Sequence, residues 1–484
     1  MSKAPLVGRL LVDDSRLDDD CRFERGVGGP CPHQRPGRDT VPLPVISPAE
    51  NGAASEPRAR WALTVLLLAY ILSFIDRNVM AILVGPIRKS FEISDFQYGL
   101  LHGLAFTIFY TLVGLPIGRL ADRRSRRTII GVGVLFWSVM TCACGMVRSF
   151  GGLFAARMGV GLGEAALSPP AHSLLSDLFP AKQLPRAMSI FTLGITIGGG
   201  MAYMIGGWVL GAVGDTELSL PFVGVLEPWQ LTFILIGLPG FAIGALVWTI
   251  REPARRGRTR AEGEGVPLGE VLRYFRSHAR LYGAILGSVS MLSVLGYGTI
   301  TWYVEMLIRN FGAQASTVGP MFGWIFILAG SLGALSGGLL AERMTRRYAD
   351  ANLRVVVFAA LLWLAPGIAG PLMPSQRGAL LMAAPILFLM SSYFGPAIAA
   401  LQTSTPNEMR ALASALLLFA ANLFGLALGP PLVGALTTHV LGGDQTLHIA
   451  LAGIAAVFAP LAALIAAWGL PAYAGRMTSP GAQA

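Results

Sequence analysis

Four charged side chains stand inside long apolar stretches of the sequence: Asp76, Arg77, Arg157 and Glu164. A charged group at the centre of a bilayer costs about 2.5 kcal/mol or more, so each one needs a partner or a function. A buried carboxylate beside a cation holds or releases its proton according to whether that cation is available to it. We therefore predict a proton-dependent switch built from Asp76, Glu164 and Arg157, with a static ion pair as the alternative.

The composition indicates the environment in which these charges must be placed. Of the 484 residues, 54% are hydrophobic and 13% are charged, whereas soluble domains have about 45–50% and 25%. The net charge is +10, but the basic residues cluster between apolar runs, which is typical of membrane orientation and not of nucleic-acid binding. The four cysteines have no spacing that supports a disulfide framework or a metal site.

Apolar stretches of about 20 residues, each long enough to cross a bilayer as a helix, recur from Trp61 onward. They predict an all-α integral membrane protein with twelve transmembrane helices. The predicted spans are 61–84, 97–119, 128–147, 151–176, 185–212, 229–250, 281–307, 316–341, 354–373, 378–402, 410–438 and 447–470. Loops after even-numbered helices carry twenty Lys and Arg residues, against five in the other loops. Because such residues stay on the cytoplasmic side, both termini are expected to be cytoplasmic, in the cell inner membrane.

The polar stretches between the apolar ones divide the chain. We predict a disordered cytoplasmic tail at 1–57, six-helix bundles at 58–250 and 281–472, and a short cytoplasmic tail at 473–484. The linker, 251–280, has apolar residues at i, i+3, i+4 and i+7 in its second part, which predicts a short amphipathic helix along the membrane surface.

This topology predicts how deep in the membrane each charged side chain lies. Asp76 lies about 22 Å along the first helix and Arg157 about 9 Å into the fourth, so the two are at a similar level. Glu164 follows on the same helical face, about 10 Å deeper. Glu305 falls near the outer end of the seventh helix, where exposure to water is expected.

One loop sequence occurs twice, after the second and the eighth predicted helices. Its repeated positions are Gly118, Asp122, Arg123, Arg126 and Arg127, matched by Gly338, Glu342, Arg343, Arg346 and Arg347 at a constant offset of 220. This pattern resembles the loop motif of the major facilitator superfamily, whose two six-helix halves are related by an axis along the membrane normal. The resemblance implies a cytoplasmic latch. We assign gating to Gly118, Asp122, Arg123, Arg127, Glu342, Arg343 and Arg347, with a purely topological role as the alternative.

A second resemblance is more specific. The stretch from Arg157 to Pro169, which includes Gly161, Gly163 and Glu164, together with the pair Asp76-Arg77, is similar to the Spinster family. The resemblance implies a proton-coupled carrier of lysophospholipids or sphingosine 1-phosphate-like lipids that works by alternating access. It also implies that the four charged residues share the coupling and headgroup roles.

These features lead to one functional expectation and one alternative. An anionic headgroup can engage Arg77 or Arg157, beside Glu164, while an acyl tail lies on apolar walls. Further substrate contacts are expected from Tyr203, Tyr297, Trp302 and Asn422, with helix packing as their alternative role. The alternative cargo is a small organic anion or a drug.

The expected partners are the cargo, membrane lipids and protons, and not nucleic acid. We expect a functional monomer driven by the proton gradient, without a cofactor or a metal. An enzyme is disfavoured, because the sequence has no His-Glu-x-x-His, no Gly-x-Ser-x-Gly and no Gly-x4-Gly-Lys motif.

Overall fold

The structure is a computed structural model that describes residues 56–180, 183–213, 218–220, 224–253 and 267–478. Almost all of the predicted tail 1–57 lies outside these residues. The first helix begins at Glu56, and the last helix continues to Thr478 through part of the predicted tail 473–484.

Helices account for nearly all of the described residues. The α-helices are α1 Glu56–Asn78, α2 Val84–Phe91, α3 Asp95–Gly99, α4 Ala105–Arg123, α5 Arg126–Cys144, α6 Phe150–Glu164, α7 Ser168–Leu178, α8 Leu184–Val213, α9 Pro228–Val247, α10 Leu268–Ser277, α11 Ala279–Phe311, α12 Ala315–Thr345, α13 Ala351–Ala369, α14 Gln376–Ser392, α15 Phe394–Ser404, α16 Arg410–Ala420, α17 Ala427–Ala435 and α18 Leu447–Thr478. π-Helical turns at Leu100–Leu104 and Ala421–Leu426 join α3 to α4 and α16 to α17. Strands β1 Leu218–Leu220 and β2 Gly224–Leu226 form an antiparallel hairpin.

Within the described part of the chain, eleven helical stretches are long and apolar enough to cross a membrane. The remaining predicted span, the fourth, at 151–176, is present as two shorter helices, so the expectation of one continuous helix is corrected. α6 ends at Glu164, and α7 begins at Ser168 with proline in its first turn. Proline has no backbone N–H and therefore starts a helix well but does not continue one. The break places Glu164 at a helix end.

The two halves of the chain touch through glycines on paired helices. A side chain at Gly200 of α8 would meet the backbone of Gly323 of α12, and one at Gly103 would meet the carbonyl oxygen of Leu426. Such backbone approach is possible only where no Cβ intervenes. Four residues before Gly200, the hydroxyl of Thr196 in α8 lies 3.0 Å from that of Ser331 in α12. The backbones of the two halves therefore pack directly against each other.

The linker between the halves contains one amphipathic helix, α10. Its Val271 and Phe275 are buried, and the Phe275 ring stacks on Tyr282 of α11 with 3.9 Å between ring centroids. Leu268 and Leu272, on the neighbouring face, are exposed. Residues 254–266 of the predicted linker lie outside the described part of the chain.

Candidate functional site

A buried ion pair connects α1 to the end of α6. The Arg77 guanidinium donates to Glu164 Oε2 at 2.9 Å, and Ser73 Oγ donates to the same oxygen at 2.6 Å. The side chains of Arg77 and Glu164 are 6% and 0% exposed. Ser73 and Arg77 are four residues apart, so both point from one face of α1 to Glu164. The structure thus pairs Glu164 with Arg77, although depth along the helices had placed Arg157 on the same face as Glu164.

Aromatic rings surround the Arg77 guanidinium. Its central carbon lies 4.8 Å from the ring centre of Phe74 and 4.7 Å from those of Phe106 and Tyr110. Tyr297, on α11 in the other half of the chain, also faces Arg77. A cation held against aromatic faces keeps its charge in a largely dry setting. Arg77 is therefore a buried cation lined by aromatic rings, with Glu164 as its counterion.

Asp76, the neighbour of Arg77, has a different environment. Its side chain is fully buried, and neither carboxylate oxygen has a hydrogen-bond partner among the described residues. Thr141 and Trp137 of α5 turn their donor groups toward this carboxylate without reaching hydrogen-bond geometry. A buried ionised carboxylate is costly unless it is paired. The structure holds Asp76 in an arrangement that suits its neutral form.

Arg157 lies beside Asp76, and only part of its guanidinium is hydrogen-bonded. Its Nη1 donates to the backbone carbonyl of Asp76 at 3.2 Å, while its Nε and Nη2 have no partner among the described residues. The Phe106 ring centre is 5.5 Å from its guanidinium carbon. Asp76 and Arg157 are therefore close enough to pair after a change of side-chain conformation, but they are not paired here.

The other predicted substrate contacts fall into two groups. Tyr203 and Trp302 are fully buried, and their polar atoms donate to the backbone carbonyls of Ile300 and Pro430. The Tyr203 bond crosses from one half of the chain to the other. Tyr297 and Asn422 are half-buried. The Asn422 amide donates to the Leu418 carbonyl one turn earlier at 2.8 Å.

Charged residues that the sequence analysis did not single out join the two halves at one end of the bundle. Asp95, at the start of α3, accepts two bonds of 2.8 Å from Arg309 of α11 and one of 3.0 Å from the Thr437 hydroxyl. Arg88 of α2 pairs with Asp444 at 3.1 Å and with Asp95 at 3.0 Å. Each half thus gives an arginine to a carboxylate of the other half. We call this set of five residues the sealed end.

The predicted latch lies at the opposite end of α4. Gly118 faces Pro169 of α7, while the side chains of Asp122 and Arg123 lie outside the described set. Arg127 donates to the carbonyls of Trp248 and Ile250 just after α9. In the second copy of the motif, Glu342, Arg343 and Arg347 are exposed.

Arg126, which belongs to the repeated motif but not to the predicted gating set, has several partners in this region. It is 1% exposed, pairs with Asp177 of α7, and donates to Glu252 after α9 at 3.1 Å. Ser125 Oγ and the Arg126 backbone N–H also donate to Glu252, at 2.5 and 2.9 Å. The acidic partners could not be inferred from spacing, because they lie about 50 and 126 residues away along the chain. Its counterpart Arg346 is exposed.

Glu252 makes the stability of this cluster depend on pH. Burial raises the pKa of Glu252, but the hydrogen bonds from Ser125 and Arg126 and the Arg126 charge outweigh it, so the pKa lies below the usual 4.5. A lowered folded-state pKa gives stabilisation that is present above the unfolded-state pKa and is lost as pH falls through the folded-state pKa. We expect Glu252→Gln to lower the melting temperature by roughly 2–4 °C at pH 7 and by much less near pH 3. Thermal unfolding at the two pH values measures this, and an equal loss at both would contradict it.

Within the described residues, no group of three or more His, Cys, Asp or Glu side chains is placed to hold a metal ion. The two described cysteines, Cys142 and Cys144, are unpaired.

Comparisons with known proteins agree with this architecture. The model of the Major Facilitator Superfamily matches residues 66–430. Protein spinster homolog 3 of Danio rerio is 27% identical over 410 residues, which cover 81% of this chain and 79% of that protein. A protein named MFS-type efflux pump of Mycolicibacterium smegmatis is 27% identical over 398 residues, covering 82% and 89% of the two chains.

Among solved structures, the chain is similar to a bacterial homologue of the human lysosomal transporter Spinster in an inward-facing, unoccupied conformation. The two are 28% identical with a TM-score of 0.72, covering 88% of this chain and 98% of the other. A multi-pass membrane architecture, a duplicated loop motif and these similarities point to transport and not to catalysis. The chain belongs to the Major Facilitator Superfamily and is a transporter of the Spinster type.

Proposed function

We propose that the protein is a proton-coupled carrier of amphipathic lipids with an anionic headgroup, such as a lysophospholipid. The observation that carries the proposal is the fully buried carboxylate of Asp76, which has no hydrogen-bond partner in the described part of the chain. Arg157 lies beside it, and two of its donor nitrogens are likewise unpaired there. An unpaired carboxylate at this depth favours the protonated form. We assign proton coupling to Asp76, Glu164 and Arg157.

The charges of the site relate protonation to cargo binding. Arg77 is balanced by Glu164. When Asp76 is protonated, the charge of Arg157 has no counterpart, and an anionic headgroup can supply it. When Asp76 loses its proton, its carboxylate can take the place of the headgroup at Arg157. A bound proton therefore favours binding of the headgroup, and a bound headgroup favours binding of the proton. This mutual effect favours movement of proton and lipid in the same direction.

The cargo enters between the halves. Tyr297 and Asn422, both half-buried, come from the second half, and Tyr297 faces Arg77. We propose that Arg77, Arg157, Glu164, Tyr297 and Asn422 contact the substrate. We propose that Tyr203 and Trp302 act at the contact between helices, since their polar atoms are already engaged with backbone.

We propose that the cargo crosses the membrane by alternating access, in which the site opens first to one side and then to the other. The distribution of basic residues favours a cytoplasmic location for the termini and the motif loops. In that orientation the sealed end faces outward and the conformation is inward-facing. The similar bacterial structure is described as inward-facing, which supports this orientation. We propose that the two bundles, 58–250 and 281–472, rock about the site as a functional monomer in the cell inner membrane. Breaking the sealed end and engaging the motif loops on the cytoplasmic side would complete the cycle.

Uptake into proteoliposomes with an imposed pH gradient tests the cargo. We expect a labelled anionic lysophospholipid to accumulate only with the gradient, and a hexuronate, used as a small organic anion, not to accumulate. The acyl tail accounts for the difference, because it contributes burial of about 25 cal/mol per Å² that a sugar acid lacks. Accumulation of the hexuronate without the lysophospholipid would favour the small-anion carrier instead.

A further inference from the structure

A pocket between the start of α1 and the segment after α9 has no role in the mechanism proposed above. Its volume is about 300 Å³. Five residues line this pocket, which we call the Trp61 pocket: Pro57, Arg58, Trp61, Thr249 and Arg251. Arg127 of the repeated motif donates to backbone carbonyls of the same segment, so the pocket lies at the motif-loop end of the bundle. It is about 28 Å along α1 from Arg77.

One wall of the Trp61 pocket is fixed by a hydrogen bond between its two segments. The Trp61 indole N–H donates to Thr249 Oγ1 at 2.9 Å, and the Thr249 hydroxyl donates to the Leu246 carbonyl at 2.7 Å. The Trp61 side chain is nevertheless 44% exposed. The indole ring is therefore held in one position beside the pocket while part of its surface stays open.

Tryptophan and arginine have the same spacing on both sides of the pocket. Arg58 precedes Trp61 by three residues, and Arg251 follows Trp248 by three residues. Both tryptophans are partly exposed where an apolar stretch meets polar sequence. Tryptophan is enriched at the boundary between the hydrocarbon and the lipid headgroups. Each arginine is therefore expected just outside the hydrocarbon, at the level of the lipid phosphates.

The two arginines of the pocket have no carboxylate partner within the described part of the chain. Glu56 pairs with Arg60, and Glu252 is engaged with the start of α5. Arg58 and Arg251 are exposed, and no hydrogen bond or ion pair joins either guanidinium to a described residue. Two positive charges thus border one pocket without a counterion from these residues.

We propose that the Trp61 pocket binds the phosphate of an anionic membrane phospholipid. Guanidinium groups bind phosphate oxygens through charge-assisted hydrogen bonds, and basic pockets between transmembrane helices bind anionic headgroups. The open surface of the Trp61 ring gives the upper part of the acyl chains an apolar contact. Because this ring places the pocket at the edge of the hydrocarbon, we assign the phosphate to a lipid and not to a soluble ion.

The proposed lipid is distinct from the cargo. In the orientation proposed above, its headgroup belongs to the inner leaflet, whereas the cargo binds around Arg77 and Arg157 in the middle of the bundle. A lipid held by Arg58 and Arg251 joins the first helix to the start of the linker between the halves. The inference requires neither transport nor proton coupling, so its test can fail while the proposed function stands.

Native mass spectrometry of the full chain in detergent, titrated with phosphatidylglycerol, tests the proposal. We expect the first phosphatidylglycerol to bind more tightly than a phosphatidylcholine with the same acyl chains. Arg58→Gln and Arg251→Gln should each weaken its binding about fivefold, and the double variant about 25-fold, as expected for basic residues at a membrane surface. Binding by the double variant that equals binding by the parent protein would place the lipid elsewhere and overturn the proposal.

Arg60→Gln is the matched control for these variants. Arg60 lies on the same turn of α1 as Arg58 and carries the same charge, but it does not line the pocket. We expect its binding of phosphatidylglycerol to change less than twofold. A loss equal to that of Arg58→Gln would mean that overall charge, and not the pocket, attracts the lipid. All of these arginines are exposed, so the melting temperatures of the variants should stay near that of the parent protein.

Two further measurements distinguish a lipid pocket from other anion sites. Thr249→Val keeps both arginines but removes the acceptor that orients Trp61, so phosphatidylglycerol binding should weaken. Unchanged binding in this variant would contradict a pocket built around the tryptophan. An excess of inorganic phosphate should leave the lipid bound, because phosphate makes no contact with the indole ring. Displacement of the lipid by inorganic phosphate would assign the pocket to a soluble anion instead.

Discussion

Proteoliposomes that contain Asp76→Asn are expected to show no lysophospholipid accumulation driven by a pH gradient, while exchange of labelled for unlabelled lipid continues. Asparagine has the shape of protonated aspartic acid and no charge at any pH, so it keeps Arg157 available to the headgroup throughout the cycle. Thr141 and Trp137 can still face the amide oxygen. A carrier that cannot release its proton moves cargo in both directions without concentrating it.

Asp350→Asn is the matched control for this variant. Asp350 is also buried, at 7% exposed, but it pairs with Arg354 of the same helix, far along the chain from the site. Gradient-driven accumulation should persist there. If Asp76→Asn concentrates lipid as well as this control does, Asp76 is not the coupling group.

Among the substitutions considered, removal of the Arg77 side-chain charge should lower the free energy of unfolding most. Arg77→Gln leaves the Glu164 carboxylate buried with Ser73 as its remaining donor. Breaking a buried pair by removing one partner typically costs about 3–5 kcal/mol, because the other charge stays uncompensated. We expect a strongly lowered melting temperature and no measurable binding of an anionic lysophospholipid.

A double variant separates folding from binding in this case. Arg77→Gln combined with Glu164→Gln removes both charges, so most of the lost stability should return, while headgroup binding should not. Arg377→Gln, at an exposed arginine, is the control for loss of one positive charge. Recovery of lipid affinity in the double variant would show that the Arg77 guanidinium does not hold the headgroup.

The helices of the fold could be predicted from the sequence, because helix formation in a membrane depends on local features of the chain. Apolar length locates the membrane helices, since a bilayer requires about 20 apolar residues of any helix that crosses it. The sequence analysis predicted a continuous helix through Glu164, where the structure has a break. Pro169 and Pro170 did indicate the start of a new helix, because proline is favoured in the first turn. The residues of the central site were also found from sequence, because charges are conspicuous in apolar helices.

Contacts between helices were the part that sequence could not supply. Depth placed Asp76 and Arg157 at the same level, but the rotation of α1 against α6 decides that Arg77 and not Arg157 reaches Glu164. Glu305 was expected to face water near a helix end but is buried, because α2 and α3 pack over that end, which is not visible along the chain. The same holds for the bond from Arg309 to Asp95, which are 214 residues apart. Such pairings depend on the tertiary arrangement.

Proton movement that accompanies lipid movement is the most direct test of the coupling at Asp76. Vesicles with a trapped pH indicator and no initial gradient receive an external anionic lysophospholipid, and the internal pH is followed for the parent protein and for Asp76→Asn. We expect internal acidification with the parent protein and none with Asp76→Asn, although the labelled lipid enters in both cases. Lipid entry without a pH change in the parent protein, or equal acidification in the variant, would contradict proton coupling through Asp76.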